Sequence, residues 1–544
     1  MVGTGIGGHL AVRRACALTT RSTACGTIPA HNPDERISFD PSDAGCTIEA
    51  DHRSGRITMS NPLQFSMDFG KVDPSARRVE GQPLRILVML DLGPGTRSQD
   101  IPLETRPILP LDIDTFEDLF ERERPVFSLG EEEIAPREVE DFRPDEIARS
   151  LPAFQKLKDL RRRLRMSGSF EEAAAEVRAL LQEAPETCEA AAAPESDSDT
   201  FARLLGKPAE AAAAPATPQK SFLTGLIRDA VAAHVVAEED PRAEQYVAAV
   251  DAALAAQMRG ILHDPDFQAL EAAWRGLDFL VSQVETDEEL SLHLWNVTRE
   301  ELLTSLGEGA LEGSVLDRRL VVEREGTPFS LIVSDIPFRG EMEDMRLLGT
   351  LGAIAGRTGG VVLAPVGPEA LGAQNWAALA DATGQEIAPS VGWTALRESA
   401  VGGRICGFGP GFLLRSPYGK KFDPVEGFTF EELERPGEEP EALLWGAASV
   451  IGAVLIAQAY RQEGWDAWLR GNLDLGDLPM VYYEAVEGTR LLPCAEVLLP
   501  ERAVERIKAT GLVPLVANRS QNLVRLPGVQ TISGEDGQVG PFGG

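Results

Sequence analysis

Gln257-Met-Arg-Gly-Ile-Leu-His-Asp-Pro-Asp-Phe-Gln-Ala-Leu-Glu-Ala-Ala-Trp-Arg-Gly-Leu-Asp-Phe-Leu-Val281 reads as two helices meeting at a sharp joint. Upstream, Val247, Val250, Leu254, Met258 and Ile261 recur every three or four residues, so one helical face is apolar and ends near His263. Asp264 then caps a second helix, Pro265 suits its first position, and Asp266 sits where the helix dipole favours negative charge. Behind that cap, Phe267, Leu270, Trp274, Leu277 and Val281 form one stripe, while Glu271 and Arg275 pair four apart on another face. On physical grounds such a stripe is core packing, anchored by a buried Trp.

Working outward, the totals set bounds. The chain has 544 residues, 43% apolar, enough for two or three domains and a sizeable core. Fifty-two basic against eighty-five acidic residues give a formal charge of −33, which argues against nucleic acid or an anionic membrane as partner. Cys16, Cys25, Cys46, Cys188, Cys406 and Cys494 are scattered without metal-ligand or disulfide-framework spacing, which fits a reducing cytoplasm. Ala442 to Tyr460 carries no charge, but its Ala, Gly and Ser content and its acidic flank predict a buried central helix and not a membrane span.

Residues 1–55 show no sustained period and read as a disordered tail, and 534–544 as a flexible one. Leu63, Phe65, Met67 and Phe69 alternate with polar residues, a half-buried strand, and Leu84 to Leu92 is a more apolar one. Asp114 with Glu117 predicts a boxed helix start. Pro144 and Pro152 punctuate two further helices, the second with Phe154, Leu157, Leu160 and Leu164 on one face. Residues 184–220 are Ala, Pro and Glu with little else, a linker with an r.m.s. span of roughly 35 Å. Beyond it, Phe222, Leu223, Leu226, Ile227 and Val231 line one side of a short helix. Glu289 to Val297 alternates as a strand with His293 on its solvated face, and Thr298 with Glu301 boxes the next helix. Phe329 to Asp335, a helix over Leu347 to Ile354, and Gly359 to Pro365 form a β-α-β unit, which predicts parallel strands. The fold class is α/β, with a mixed sheet flanked by helices.

Catalytic and cofactor constellations are missing from the sequence. Gly3-Thr-Gly-Ile-Gly-Gly8 has dinucleotide-type spacing without a strand before it or a helical pattern after it. There is no phosphate loop, HExxH or GxSxG elbow, and the six histidines all precede residue 294. The reading is no enzyme, no cofactor and no metal, the alternative being an α/β enzyme or nucleotide binder without a readable motif.

Several strings together resemble one family. Ile261-Leu-His-Asp-Pro followed by Phe267-Gln-Ala-Leu-Glu-Ala-Ala-Trp-Arg-Gly-Leu277, then Gly407-Phe-Gly-Pro-Gly-Phe-Leu-Leu-Arg-Ser-Pro-Tyr-Gly419, Gly476-Asp-Leu-Pro479 and Glu496-Val-Leu-Leu-Pro-Glu-Arg502 resemble, in order, the large subunit of the type VI secretion contractile sheath. Arg106-Pro-Ile-Leu109, Ile113-Asp114 and the Phe142-x-Pro-Asp to Leu164 segment resemble the small subunit. Departures from the family pattern include Ala400-Val-Gly-Gly-Arg404 and Ala447. The resemblance implies a fused chain, small-subunit-like over 56–183 and large-subunit-like over 221–533. It would be a cytoplasmic structural protein that self-assembles as a helical homopolymer of hexameric rings. Implied partners are the inner tube protein, a baseplate and a AAA+ recycling unfoldase docking on Phe222, Leu223, Leu226 and Ile227. Leu63, Phe65, Met67 and Phe69, and Val524, Leu526 and Val529, are read as strand-exchange arms, since lone strands need partners.

Overall fold

Seven strands form one sheet: β1 (Leu84–Leu90), β2 (Leu109–Leu111), β3 (Leu290–Asn296), β4 (Leu331–Ser334), β5 (Val361–Pro365), β6 (Ile405–Gly409) and β7 (Leu512–Pro514), in the order β7-β6-β5-β4-β1-β3-β2. All neighbours run parallel except β2, which lies antiparallel against β3 at the edge. This computed structural model describes the strands 47–51, 56–60 and 64–68, and residues 82–166, 168–182, 243–306, 311–381, 387–437, 439–467, 469–485, 488–518 and 521–534. The protein is α/β, as its alternating pattern predicts.

The near-continuous apolar run of β1 suits a strand covered on both faces, and Leu84 and Ile86 to Leu90 are all buried. Its register places Val88 opposite Leu294 of β3 on one side and Val333 of β4 on the other. A strand from the first third of the chain therefore separates β3 from β4, and those two strands meet the sheet through it.

Six helices matter most: α1 (Ile113–Glu123), α2 (Pro152–Arg165), α3 (Ala243–Leu262), α4 (Pro265–Gln283), α5 (Met342–Thr358) and α6 (Ala448–Glu463). The β4-α5-β5 unit forms as the sequence predicts, and Gly359, at φ 74°, closes α5 in the left-handed conformation that glycine adopts without strain. The uncharged stretch forms α6, buried along most of its length. Its Gly452 admits the Phe408 ring, where a Cβ would stand 2.7 Å away, and Ser449 donates to the Ser334 carbonyl at 2.7 Å. Among the described residues no helix is long and apolar enough to cross a membrane.

Two compact units divide the chain, residues 1–51 with 57–66 and residues 52–56 with 67–544. Thr47–Asp51, Arg56–Ser60 and Gln64–Asp68 form a three-stranded sheet in that order. The reading of 1–55 as a tail is thus corrected at Thr47–Asp51, a five-residue strand too short and polar to announce itself by periodicity.

Three further expectations change. Asp112, not Asp114, caps α1: its carboxylate accepts from the Thr115 amide at 2.8 Å, and Thr115 closes the box in place of Glu117. His293 is half-buried against Phe329 at 5.3 Å, because β3 is an inner strand of the sheet. Val524–Pro527 is the centre of a three-stranded antiparallel sheet between Asn472–Leu475 and Val516–Ala517. The arm assigned to Val524, Leu526 and Val529 is therefore corrected: these side chains are buried in the chain's own core, and the strand already has a partner on each side.

Candidate functional site

The joint between α3 and α4 packs against residues from the segment 84–165. Asp264 caps α4 by accepting from the Asp266 and Phe267 amides at 3.0 and 3.2 Å, with Pro265 in the first turn. This fixes the direction of α4, whose Phe267, Leu270, Trp274 and Leu277 are buried. Trp274 is fully enclosed. Its indole donates to the Leu92 carbonyl just beyond β1 at 3.0 Å, and Phe120 of α1 stacks on it at 3.8 Å. Phe267 meets Phe127 and Phe142 edge-on at 5.2 and 5.9 Å. Every one of these partners comes from residues 84–165, so the stripe is core, and the core is shared between distant parts of the chain.

Polar contacts reinforce the seam. The buried Arg106 guanidinium binds both oxygens of Glu301 at 2.7 and 2.5 Å and the Asn296 carbonyl at 2.8 Å. Glu301 also boxes the following helix through Thr298. Burial pushes the Glu301 carboxyl up, but Arg106 and the Thr298 amide outweigh it and hold it below its ordinary value. Asn296 accepts from the Leu92 amide at 3.0 Å and donates to Thr96 and Ser98, tying the end of β3 to the loop after β1. Arg143 binds Asp423 bidentately at 2.8 and 2.5 Å, Asp145 accepts from the Glu426 and Gly427 amides, and Arg161 pairs with Asp251 of α3.

Glu271 and Arg275 form the expected i,i+4 pair at 2.7 Å, but the setting differs from a surface pair. Glu271 has no exposed surface and faces Arg415, which lies between Glu271 and the buried Glu432 at 2.8 Å from each. Burial pushes the Glu271 carboxyl up, and the Arg415 and Arg275 guanidiniums outweigh it, so it titrates below the ordinary carboxylate range. Arg415 also lies over the Tyr418 ring at 4.3 Å; burial pushes the Tyr418 hydroxyl up to about 12. The Tyr418 amide donates to Glu432 at 2.7 Å, and Arg275 donates to the Tyr418 hydroxyl at 3.1 Å. Every charge in this cluster has its opposite, the condition under which ions are tolerated away from water. Sequence reasoning missed Arg415 and Glu432, since nothing local marks a partner 144 residues from Glu271.

Other sequence-predicted residues fall elsewhere. Phe222, Leu223, Leu226 and Ile227 lie outside the described residues, as do Leu63 and Phe69. Phe65 and Met67 belong to the edge strand Gln64–Asp68. No group of His, Cys, Asp and Glu among the described residues is arranged to hold a metal.

A strand from a distant block thus completes the α/β core, and an aromatic and ionic seam holds it there. The family model described as EvpB/VC_A0108, tail sheath N-terminal domain (VipB), matches residues 244–533, more than half of the chain, and the chain belongs to that family. The match begins after β1 and β2. The chain is 32% identical over 306 residues to the type VI secretion system sheath protein TssC1 of Pseudomonas aeruginosa, an alignment covering 53% of this chain and 61% of that protein.

Proposed function

We propose that this chain is a contractile-sheath subunit that carries a small-subunit-like region (56–183) and a large-subunit-like region (221–533) in one polypeptide. The observation that supports this reading is the position of β1. It comes from the first region, yet it supplies the strand between β3 and β4 of the second. Two chains sharing one sheet would have to meet before either core closed, whereas fusion makes the encounter intramolecular, at an effective concentration on the order of millimolar. Copies polymerise as stacked hexameric rings around an inner tube seated on a baseplate. Gln64–Asp68, an edge strand of its sheet among the described residues, is the strand that pairs with a neighbouring copy. After contraction, the helix read at Ser221 to Val231 serves as the handle for a AAA+ unfoldase, with Phe222, Leu223, Leu226 and Ile227 as anchors at helix-in-groove spacing.

A protease site inserted within 184–220 tests the fusion reading. After cleavage, the two fragments should stay associated through gel filtration and should pellet together as polymer on ultracentrifugation. Fragments that separate as two folded proteins would refute it.

A further inference from the structure

Strands β1, β4, β5 and β6 end along one rim of the sheet, and a cleft of about 860 Å³ opens beyond their carboxyl ends, the edge at which open α/β sheets hold ligands. Arg415, Glu271, Glu432, Arg106 and Glu301 are not among its lining residues. Three strand spacings of about 4.8 Å make the rim roughly 14 Å long, the reach of about four extended residues. Trp376 and Trp445 stand on its walls, and two glycines keep it open. A Cβ on Gly409 would stand 2.4 Å from the Trp376 ring, and one on Gly411 would stand 2.6 Å from Glu496 Oε1.

The lining has an unbalanced charge. Asp335, directly after β4, has no hydrogen-bond or ion-pair partner for its carboxyl among the described residues. Among the described residues Glu496 accepts only from the Gly411 amide, at 3.2 Å, and its electrostatic neighbour is another carboxylate, Glu369. Of the other rim charges, Asp91 is engaged by Gln99 and Arg299 is committed to Asp344 at 2.9 Å. Glu300 and Glu441 add further negative charge, and Arg339 forms no ion pair with any of these acids among the described residues. Both residues are half-buried in the cleft wall, and desolvation pushes Asp335 up to about 6 and Glu496 up to about 7. A half-buried carboxylate that lines a cleft without a cationic partner is a group that a cation can complete.

We propose that this cleft seats a basic side chain, guanidinium or ammonium, carried on an extended segment of another protein chain. Asp335, Glu369 and Glu496 supply the carboxylates and the two tryptophans supply aromatic faces of the kind that attract cations. The length of the rim selects a segment over a free amine, and the acidic lining selects a basic one.

The test uses the full chain, dispersed in solution, so whether it polymerises does not enter. The probe is a fluorescein-labelled acetyl-Gly-Arg-Gly-Arg-Gly-amide read by fluorescence anisotropy, beside the Glu-containing counterpart and spermidine as competitor. The basic peptide should bind and the acidic one should not, with affinity rising from about pH 5.5 to pH 8 as the two raised carboxyls ionise. Asp335→Asn with Glu496→Gln should weaken binding roughly tenfold or more, and Ala272→Phe, which narrows the cleft from α4 without touching a charge, should do the same. Melting curves show that each variant is folded. Absence of binding by the wild-type chain overturns the proposal. So does binding that survives both kinds of variant, which would mark a response to the chain's overall charge. Spermidine displacing the peptide at equal concentration would overturn the assignment to a segment.

Discussion

Replacing Arg415 by Met removes the cation that lies between Glu271 and Glu432 while keeping the unbranched apolar stem of the side chain. The guanidinium makes four charge-assisted hydrogen bonds to the two carboxylates, at 2.8, 3.2, 2.8 and 2.9 Å, and both acids are buried. Taking away one partner of a buried pair costs about 3–5 kcal/mol, mostly because the remaining charge stays out of water. Arg275 still holds Glu271 and the Tyr418 amide still holds Glu432, which keeps the loss within that range. With an unfolding entropy of about 2.1 cal/mol/K per residue over roughly 450 residues, Tm should fall by about 3–5 °C. The pH dependence gives a sharper test. In the wild type the folded Glu271 carboxyl titrates below its unfolded value, so its contribution is full at neutral pH and is lost as pH falls through the folded pKa. In the variant, burial without Arg415 raises the Glu271 carboxyl. The destabilisation is then present at neutral pH and is relieved as pH falls through the raised value. The gap in Tm between wild type and variant should narrow between about pH 7.5 and pH 5. Adding Glu271→Gln and Glu432→Gln to the Arg415→Met chain should recover most of the loss. A gap that is absent, or that does not change with pH, would refute the electrostatic reasoning.

Trp274→Phe should cost about 1–3 kcal/mol in urea unfolding, since it leaves the buried Leu92 carbonyl without its donor. Ending the chain at residue 522 strips Val524, Leu526, Val529 and Ile532 from the core, on the order of 8 kcal/mol of burial, so the product should be insoluble or molten by near-UV circular dichroism. The His293 imidazole, pushed down to about 4 by burial, should titrate there by NMR. Acidification from about 6.5 towards 4 should lower stability, because the unfolded chain takes up that proton first. Leu223→Asp with Ile227→Asp should abolish unfoldase pull-down while leaving the melting curve unchanged; loss of folding would show the segment to be core.

What the sequence discloses is set by range. The Asp264-Pro265 cap, the Trp274 stripe and the β4-α5-β5 unit are written in neighbouring residues, where capping, periodicity and crossover length act. The apolar run of β1 marks it as a covered strand but carries no word of which strands flank it, because Leu84 and Leu290 are paired only by the finished sheet. Glu271 shows its local partner Arg275 and hides Arg415 for the same reason. Val524 to Pro527 reads as a strand near a chain end, and strand pattern alone does not say whether the partner is in the same chain. The error at α1 is one of turn chemistry: Thr115 closes the box that Glu117 was expected to close.

In the fusion proposed above, a single polypeptide supplies both parts of a sheath subunit. Electron microscopy of the purified full chain, with no second protein present, addresses it directly. The expected result is tubes or stacked rings whose repeating unit is one copy of this chain, with β1 seated between β3 and β4 of the same sheet. Dispersed monomers under all salt conditions, or polymers that form only when a separate small subunit is added and that place its strand where β1 lies, would contradict it.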